Sequence, residues 1–122
     1  VLNDLDYAVG DIKDRYRRSR PFLRDKSLSP CIDRIGGYSY PSGHAVNARV
    51  FALILSEMKP ERREAFMARA DRAALHRVIC GVHYPSDIVA GKLLGEAIYD
   101  EFIKSPDFQR DLSSLRKYVR TP

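Results

Sequence analysis

The sequence has no long hydrophobic run. The longest near-continuous apolar stretch is Val50–Leu55, whereas a membrane-spanning helix needs ~20 apolar residues. This segment therefore argues against an integral membrane enzyme. Internal repeats and low-complexity tracts are also lacking, and strand-like alternation is scarce, which excludes repeat proteins and disfavours a β fold.

Cysteine is scarce as well. The spacing of Cys31 and Cys80 fits no zinc-binding pattern. The two thiols could pair in an oxidising compartment or remain free in the cytosol, and the sequence leaves both open. No secretory signal is visible after Val1, so we expect a mature or truncated chain.

The composition is that of a globular protein. The chain has 122 residues, of which 44% are hydrophobic and 30% charged, and we predict one domain over residues 1–122. Lys and Arg number 21 against 16 Asp and Glu, a net charge of +5. That balance favours an anionic partner, which on charge alone is a nucleic acid, a phosphate ester or a membrane surface.

Hydrophobic periodicity predicts an all-α, compact helical bundle. The pattern favours a first helix that Pro21 ends, and a second that Ser42 caps. Prolines, glycines and serines predict a loop over 21–41, a length typical of functional or disordered loops. The predicted helices span 1–18, 43–59, 61–79, 86–103 and 106–119.

Three polar blocks are candidate sites. The basic run from Lys13 to Arg20 fits a solvated helix face, a nucleic-acid patch or a specific anion site. The second block is Pro41-Ser42-Gly43-His44, at the start of a helix, where backbone N–H groups and the helix dipole attract anions. Gly43 allows close approach to the backbone and His44 offers a titratable proton; the alternative is an ordinary serine cap beside a surface histidine.

The third block contains Arg77, His83 and Asp87. A carboxylate four residues after a histidine can accept the Nδ1 proton, which leaves Nε2 as a free nucleophile. Arg77 supplies a forked donor for phosphate oxygens. The alternative is a surface ion pair at the start of a helix.

In this order and spacing, the three blocks resemble the motif of the type 2 phosphatidic acid phosphatase superfamily, and most closely its bacterial class A non-specific acid phosphatases. The superfamily also includes lipid phosphate phosphatases and vanadium haloperoxidases. Two features depart from the pattern. His76 stands where the family usually has serine. The loss of the hydroxyl would weaken one phosphate contact, or His76 would take its place as the hydrogen-bond donor. The family domain also has helices before the lysine helix, whereas this chain begins 12 residues before Lys13.

The resemblance implies a metal-independent acid phosphatase, a hydrolase that cleaves phosphomonoesters through a phosphohistidine. His83 would be the nucleophile, Asp87 its orienting partner and His44 the general acid. The implied phosphate-binding residues are Lys13, Arg20, Arg77, Ser42 and Gly43. No cofactor or metal is implied, although vanadate or phosphate should fit the same pocket.

The resemblance also implies a periplasmic or secreted protein, in which a Cys31–Cys80 disulfide would fit. Because the upstream helices are expected to be absent, we expect residues outside this chain to cover the apolar faces of the helices beginning near Ala45 and Ser86. A second copy or a companion chain would provide them. The expected substrate is a small phosphorylated molecule, with neither nucleic acid nor a membrane span involved.

Several rival functions remain. A vanadium-dependent haloperoxidase would hold vanadate at His83, and a lipid phosphate phosphatase would use the same residues. A non-enzymatic module would bind nucleic acid through Arg15, Arg17 and Arg18, and a degenerate family member would serve as a scaffold. Tyr38 and Tyr40 could stack on an aromatic leaving group, or they could simply pack against the protein.

Overall fold

The computed structural model describes residues 1–33 and 35–120, without the side chain of residue 120. Every regular element in this part of the chain is helical, so the prediction of an all-α bundle is confirmed. The α-helices are α1 (Leu2–Tyr16), α2 (Pro21–Arg24), α3 (Gly43–Met58), α4 (Arg63–Ile79), α5 (Pro85–Phe102) and α6 (Pro106–Arg120); a 3₁₀ turn at Pro60–Arg62 precedes α4.

Helix α3 is the centre of the bundle, and it packs against α1, α4, α5 and α6. Its apolar residues recur at helical spacing and form one core with residues from α1, α5 and α6. The buried members are Leu5, Val9, Val46, Val50, Leu53, Ile54, Tyr99 and Leu112.

Two glycines bring α5 close to α3. A Cβ at Gly91 would lie 2.7 Å from the carbonyl oxygen of Ser42 and 2.8 Å from the Cβ of Ala45. A Cβ at Gly95 would lie 3.0 Å from the carbonyl oxygen of Val46. Hydrogen atoms at these two positions therefore set the separation of the two helices.

The first helix is shorter than predicted. It ends at Tyr16, because Arg17 adopts a left-handed conformation with φ of 47° while its N–H donates to the carbonyl of Lys13 at 2.8 Å. The predicted loop over 21–41 was also partly wrong, because it begins with helix α2. Pro21 stands at the first position of α2, where its fixed φ suits a helix, and the next residue, Phe22, is buried.

Helix α4 ends in a Schellman motif. Gly81 has a φ of +76°, its N–H donates to the carbonyl of Val78, and the N–H of Val82 donates to the carbonyl of Arg77. The N–H of His83 donates to the same Arg77 carbonyl at 3.2 Å. This turn holds the His83 backbone against the last turn of α4.

A disulfide joins Cys31 to Cys80, which answers the question that the sequence left open. Cys80 is buried beside Phe22 and Val82, whereas Cys31 is exposed, and the N–H of Cys31 also donates to the carbonyl of Cys80. The bridge therefore fastens the long loop to the segment that leads into His83. Within the described residues, no helix combines the length and the apolar character that crossing a membrane requires.

Candidate active site

The N-termini of α3 and α5 meet at one end of the bundle. The Ser42 hydroxyl accepts a hydrogen bond from the N–H of Ala45 at 3.3 Å, which caps α3 as predicted. The N–H of Ser42 donates to the carbonyl of Asp87 in the first turn of α5 at 3.0 Å. Two positive helix ends therefore lie together, an arrangement that attracts anions.

His83 and Asp87 form a buried pair at this junction. His83 is 3% exposed and Asp87 is 0% exposed. Nδ1 of His83 lies 3.2 Å from Oδ2 of Asp87. We assign the Nδ1–H tautomer from this contact, since an ionised carboxylate only accepts hydrogen bonds. Nε2 is then left with its lone pair.

Arg20 lies against the other nitrogen of His83. Its Nη1 is 3.3 Å from Nε2, and the same Nη1 donates to the carbonyl of Val82 at 3.0 Å. Its Nε and Nη2 donate to the carbonyls of Gly36 and Gly37 in the long loop. Arg20 thus ties the loop to His83 and places a cation beside the histidine lone pair.

The remaining predicted cations lie around this pair. Lys13 extends from α1 and donates to the carbonyl of Tyr38. Arg77 is half-buried in the last turn of α4, and within the described part of the chain its buried Nε has no hydrogen-bond partner. His44 is exposed in the first turn of α3. We call Lys13, Arg20, His44, Arg77 and His83 the cationic site.

The pKa of each group in the cationic site is lowered. Burial lowers the pKa of Lys13 to about 8, with help from the charge of Arg20. Burial is also the main cause for His83. His44 is exposed as a residue, but partial covering of its ring is the largest cause of its lowered pKa, and the charge of Arg77 is the next. The two arginines follow the same direction, again mainly through burial. Lys13, Arg20 and Arg77 therefore bear positive charge at a cost that a bound anion would relieve, and the two histidines favour the neutral form.

Asp87 behaves differently. Burial alone would raise the pKa of this carboxyl, but hydrogen bonds from His83 and from the N–H of Tyr84 lower it, as does the charge of Arg18. The net pKa lies below its ordinary value, so the carboxylate is ionised. It holds a hydrogen bond to His83 without sharing the proton.

The structure thus brings together every site residue named from the sequence. Ser42 and Gly43 form the start of α3, and the five basic groups and Asp87 gather beside it. Tyr40 packs its ring 5.0 Å from that of Tyr16, centre to centre, and His76 lies exposed on α4. Among residues 1–33 and 35–120, no group of three His, Cys, Asp or Glu side chains is placed to hold a metal ion.

Sequence reasoning missed two contributors. Arg18, grouped with a basic patch, donates instead to Asp87 at 2.8 Å, and nothing in its spacing indicates this. Gly91 is required by the close approach to Ser42. Its spacing of four residues from Gly95 on one helix face was a signal of close helix packing that could have found it.

Comparisons with known proteins agree with this architecture. The PAP2 superfamily model matches residues 5–107. The non-specific acid phosphatase of Salmonella typhimurium is 36% identical over 116 residues, which cover 91% of this chain and 46% of that protein. The non-specific acid phosphatase of Providencia stuartii is 32% identical over the same shares. The chain thus spans about half the length of these relatives.

A solved structure supports the fold. It is the crystal structure of a transmembrane PAP2-type phosphatidylglycerolphosphate phosphatase from Bacillus subtilis. The match has a TM-score of 0.61 at 24% identity and covers 80% of this chain and 51% of that one. With the family match over most of the chain, these findings establish that the chain belongs to the PAP2 superfamily.

Proposed function

We propose that this chain carries the catalytic centre of a metal-independent acid phosphatase that hydrolyses small phosphomonoesters through a phosphohistidine. One observation carries the proposal: the lone pair of a buried histidine, oriented by a buried carboxylate, faces a cluster of cations with lowered pKa values. Relatives named acid phosphatase over nearly the whole chain support the same activity.

In the first step, Nε2 of His83 attacks phosphorus and the bond to the leaving oxygen breaks. The N–H of Arg20 that faces Nε2 donates instead to a phosphoryl oxygen, and Arg77 and Lys13 bind the other phosphoryl oxygens. Asp87 stabilises the imidazolium that forms. His44, whose pKa rises beside the bound phosphate dianion, gives its proton to the leaving alkoxide.

In the second step, water attacks the phosphohistidine. Neutral His44 takes a proton from this water, the nitrogen–phosphorus bond breaks, and inorganic phosphate leaves with His83 regenerated. The N–H groups at the start of α3 are available to the phosphoryl oxygens throughout. Three cations and two helix ends supply the charge that a metal provides in other phosphatases, so we expect full activity in EDTA.

The direct test is to trap the intermediate. The protein is mixed with a ³²P-labelled phosphomonoester and quenched in alkali, where phosphohistidine survives and phosphoserine does not. We expect label on the peptide that contains His83, and competitive inhibition of p-nitrophenyl phosphate hydrolysis by vanadate. Hydrolysis without label on that peptide would contradict the phosphohistidine, and absence of hydrolysis would contradict the phosphatase.

The same preparation separates the rival functions. Oxidation of halide with peroxide and vanadate, without ester hydrolysis, would indicate a haloperoxidase. Hydrolysis confined to phospholipid vesicles would indicate a lipid phosphatase. Steeply salt-dependent binding of nucleic acid without either activity would favour the binding module.

We further propose a periplasmic or secreted location, which the disulfide between Cys31 and Cys80 supports because such bridges persist in oxidising compartments. Intact mass before and after reduction, measured on protein from separate cell fractions, tests it. We expect the protein only in the periplasmic or extracellular fraction, and we expect reduction to raise its mass by that of two hydrogen atoms. Free thiols in native protein would contradict the proposal.

We also propose that residues outside this chain cover its exposed apolar faces, either from a second copy or from a companion chain. Phe51 and Leu55 on α3 and Val89 and Leu93 on α5 are 40% to 61% exposed. A groove of about 520 Å³, lined partly by Leu75, runs between α4 and α5. Light scattering measures the oligomeric state, and the fluorescence of a hydrophobic dye reports exposed apolar surface. A monomer that binds no dye would contradict the proposal.

A further inference from the structure

The buried carboxylate of Asp87 has each oxygen held by a different group. Oδ2 lies 3.2 Å from Nδ1 of His83 and accepts the N–H of Tyr84 at 2.9 Å. Oδ1 accepts a hydrogen bond from Nη1 of Arg18 at 2.8 Å. The carboxylate is therefore fixed at both ends, and only one of its oxygens faces the histidine.

Arg18 is itself held on several sides. The same Nη1 donates to the Ser86 hydroxyl at 2.6 Å, and the guanidinium lies 4.0 Å from the centre of the Tyr84 ring. Its carbonyl accepts the N–H of Ser39 at 2.8 Å. The left-handed turn at Arg17 directs the chain towards this position. The contacts of this guanidinium thus lie behind Asp87 and on the first turn of α5.

We propose that Arg18 is a positioning residue that acts through Asp87 to orient His83 and to limit its basicity. The proposal rests on the proposed function, in which His83 must be neutral to attack phosphorus. An unpaired carboxylate would make the imidazole more basic, because it would favour the imidazolium more strongly. Arg18 offsets part of that negative charge while it holds the carboxylate plane, so His83 stays neutral and aimed.

Among the described residues, the other charges that act on His83 and its neighbours belong to the cationic site. They come from α1, from the start of α2, from α3 and from α4, and they are Lys13, Arg20, His44 and Arg77. Each is positive or can become so. Arg18 differs from them because its hydrogen bond is made to the carboxylate and not to the face where phosphate would bind.

The test replaces Arg18 with glutamine, which keeps a donor for Asp87 and removes the charge. We expect the pKa of His83, followed by ¹H–¹⁵N imidazole spectra and assigned with His83→Ala, to rise by about one pH unit, as for loss of a charge several ångströms away. The acid limb of kcat/KM should move upward with it. The value of kcat should fall ~10-fold, as for partners that orient other functional histidines, with KM nearly unchanged.

Two further variants separate charge from position. Arg18→Lys keeps the charge, so the pKa of His83 should return to the wild-type value. Tyr84→Leu keeps the ion pair between Arg18 and Asp87 but removes the ring that packs against the guanidinium. We therefore expect kcat to fall while the acid limb of kcat/KM stays in place. This variant tests the proposal even if Arg18→Gln does not fold. The matched control is Arg15→Gln, which removes a charge at an exposed position of α1 and should change neither the pKa of His83 nor kcat.

The proposal is overturned if folded Arg18→Gln leaves the pKa of His83 where it was, or if kcat in Tyr84→Leu equals that of wild type. Failure of the proposed function is a separate result. It would show as absent hydrolysis by the wild-type protein, whereas the imidazole titration reports on Arg18 whether or not phosphate esters are cleaved.

Discussion

Within the described residues, the cationic site can be compared with a second cluster of charged side chains, and the two are built differently. In the first, the cationic site, five basic groups lie close enough to shift one another's pKa, and its nearby carboxylate is that of Asp87. In the second, which we call the paired cluster, two cations meet two carboxylates where α3, α4 and α5 pack. Its members are Arg49, Asp71, Lys92 and Glu96.

In the paired cluster each charge lies beside an opposite charge of the protein, although Nε of Arg49 is buried without a hydrogen-bond partner among the described residues. Arg49 lies 3.0 Å from Asp71 and 3.5 Å from Glu96, and Lys92 lies 2.8 Å from Asp71. The cationic site has an excess of positive charge that its own residues do not neutralise, and the resulting pKa shifts are unfavourable to the folded protein. The comparison supports the proposal that the first cluster binds an anion, because only the second has its charges balanced within the protein.

The largest effect should come from the nucleophile. We expect His83→Ala to lower kcat/KM for p-nitrophenyl phosphate by at least ~10⁴-fold, because no other group can form the covalent intermediate. Asp71→Asn, in the paired cluster, should change kcat/KM less than threefold, which is within the usual effect of a distant surface charge. Full activity in His83→Ala would remove the distinction between the clusters.

The second effect concerns the two arginines. Arg77→Lys should lower kcat/KM by ~10²-fold, because an ammonium group cannot replace a fork that contacts two phosphoryl oxygens. Arg49→Lys keeps a charge near two carboxylates and should leave kcat/KM nearly unchanged, at a small cost in stability. Steady-state kinetics with thermal unfolding measures both. Equal losses in the two variants would contradict the assignment of Arg77 to phosphate.

The third effect concerns the glycines of α5. Gly91→Ala and Gly95→Ala should each destabilise the fold by ~1–3 kcal/mol, because the new methyl group meets α3. Only Gly91→Ala should also weaken phosphate binding, since it displaces the Ser42 backbone. Gly10→Ala, with nothing within 4 Å of the new Cβ, is the control and should stabilise α1 by up to ~1 kcal/mol. Denaturant unfolding and calorimetry with phosphate distinguish the three.

The smallest effect is the pH dependence. Burial lowers the pKa of both His83 and His44 below the ordinary histidine value of ~6.5. His83 therefore stays neutral at pH values somewhat below ~6.5, and His44 in the free enzyme is already deprotonated at pH ~6.5. Activity should fall as pH drops through the His83 pKa and as pH rises through the His44 pKa, with an optimum on the acid side. The alkaline limb of kcat should lie above that of kcat/KM, because bound phosphate raises the pKa of His44.

Phosphate binding provides a second check on the direction of the pH dependence. The pKa of Lys13 is lowered to about 8, mainly by burial, so its charge is present below that pH and lost above it. Phosphate affinity measured by calorimetry should therefore decline as pH passes about 8. An optimum above neutrality, or affinity that is constant from pH 7 to 10, would contradict the electrostatics described for the cationic site.

Most of the fold was predictable because its signals are local. The apolar spacing of α3 and the serine cap at Ser42 depend on neighbours within a few residues. The end of α1 was not predictable, because Arg17 adopts a left-handed conformation that its residue type does not favour. Helix α2 was missed because four residues carry no periodicity, and burial of Phe22 helps to define it.

The sequence by itself determined which functional groups are available to the site. Ser42 caps α3 and Asp87 lies in the first turn of α5, and these two placements follow from helix rules. His83 lies two residues before α5 begins, close enough along the chain for its ring to reach Asp87. The convergence of distant groups was decided only in three dimensions. The Arg18–Asp87 contact spans 69 positions, and the disulfide spans 49. Such contacts form because the apolar core fixes how α1, α3, α4 and α5 pack, and local sequence patterns do not encode that packing.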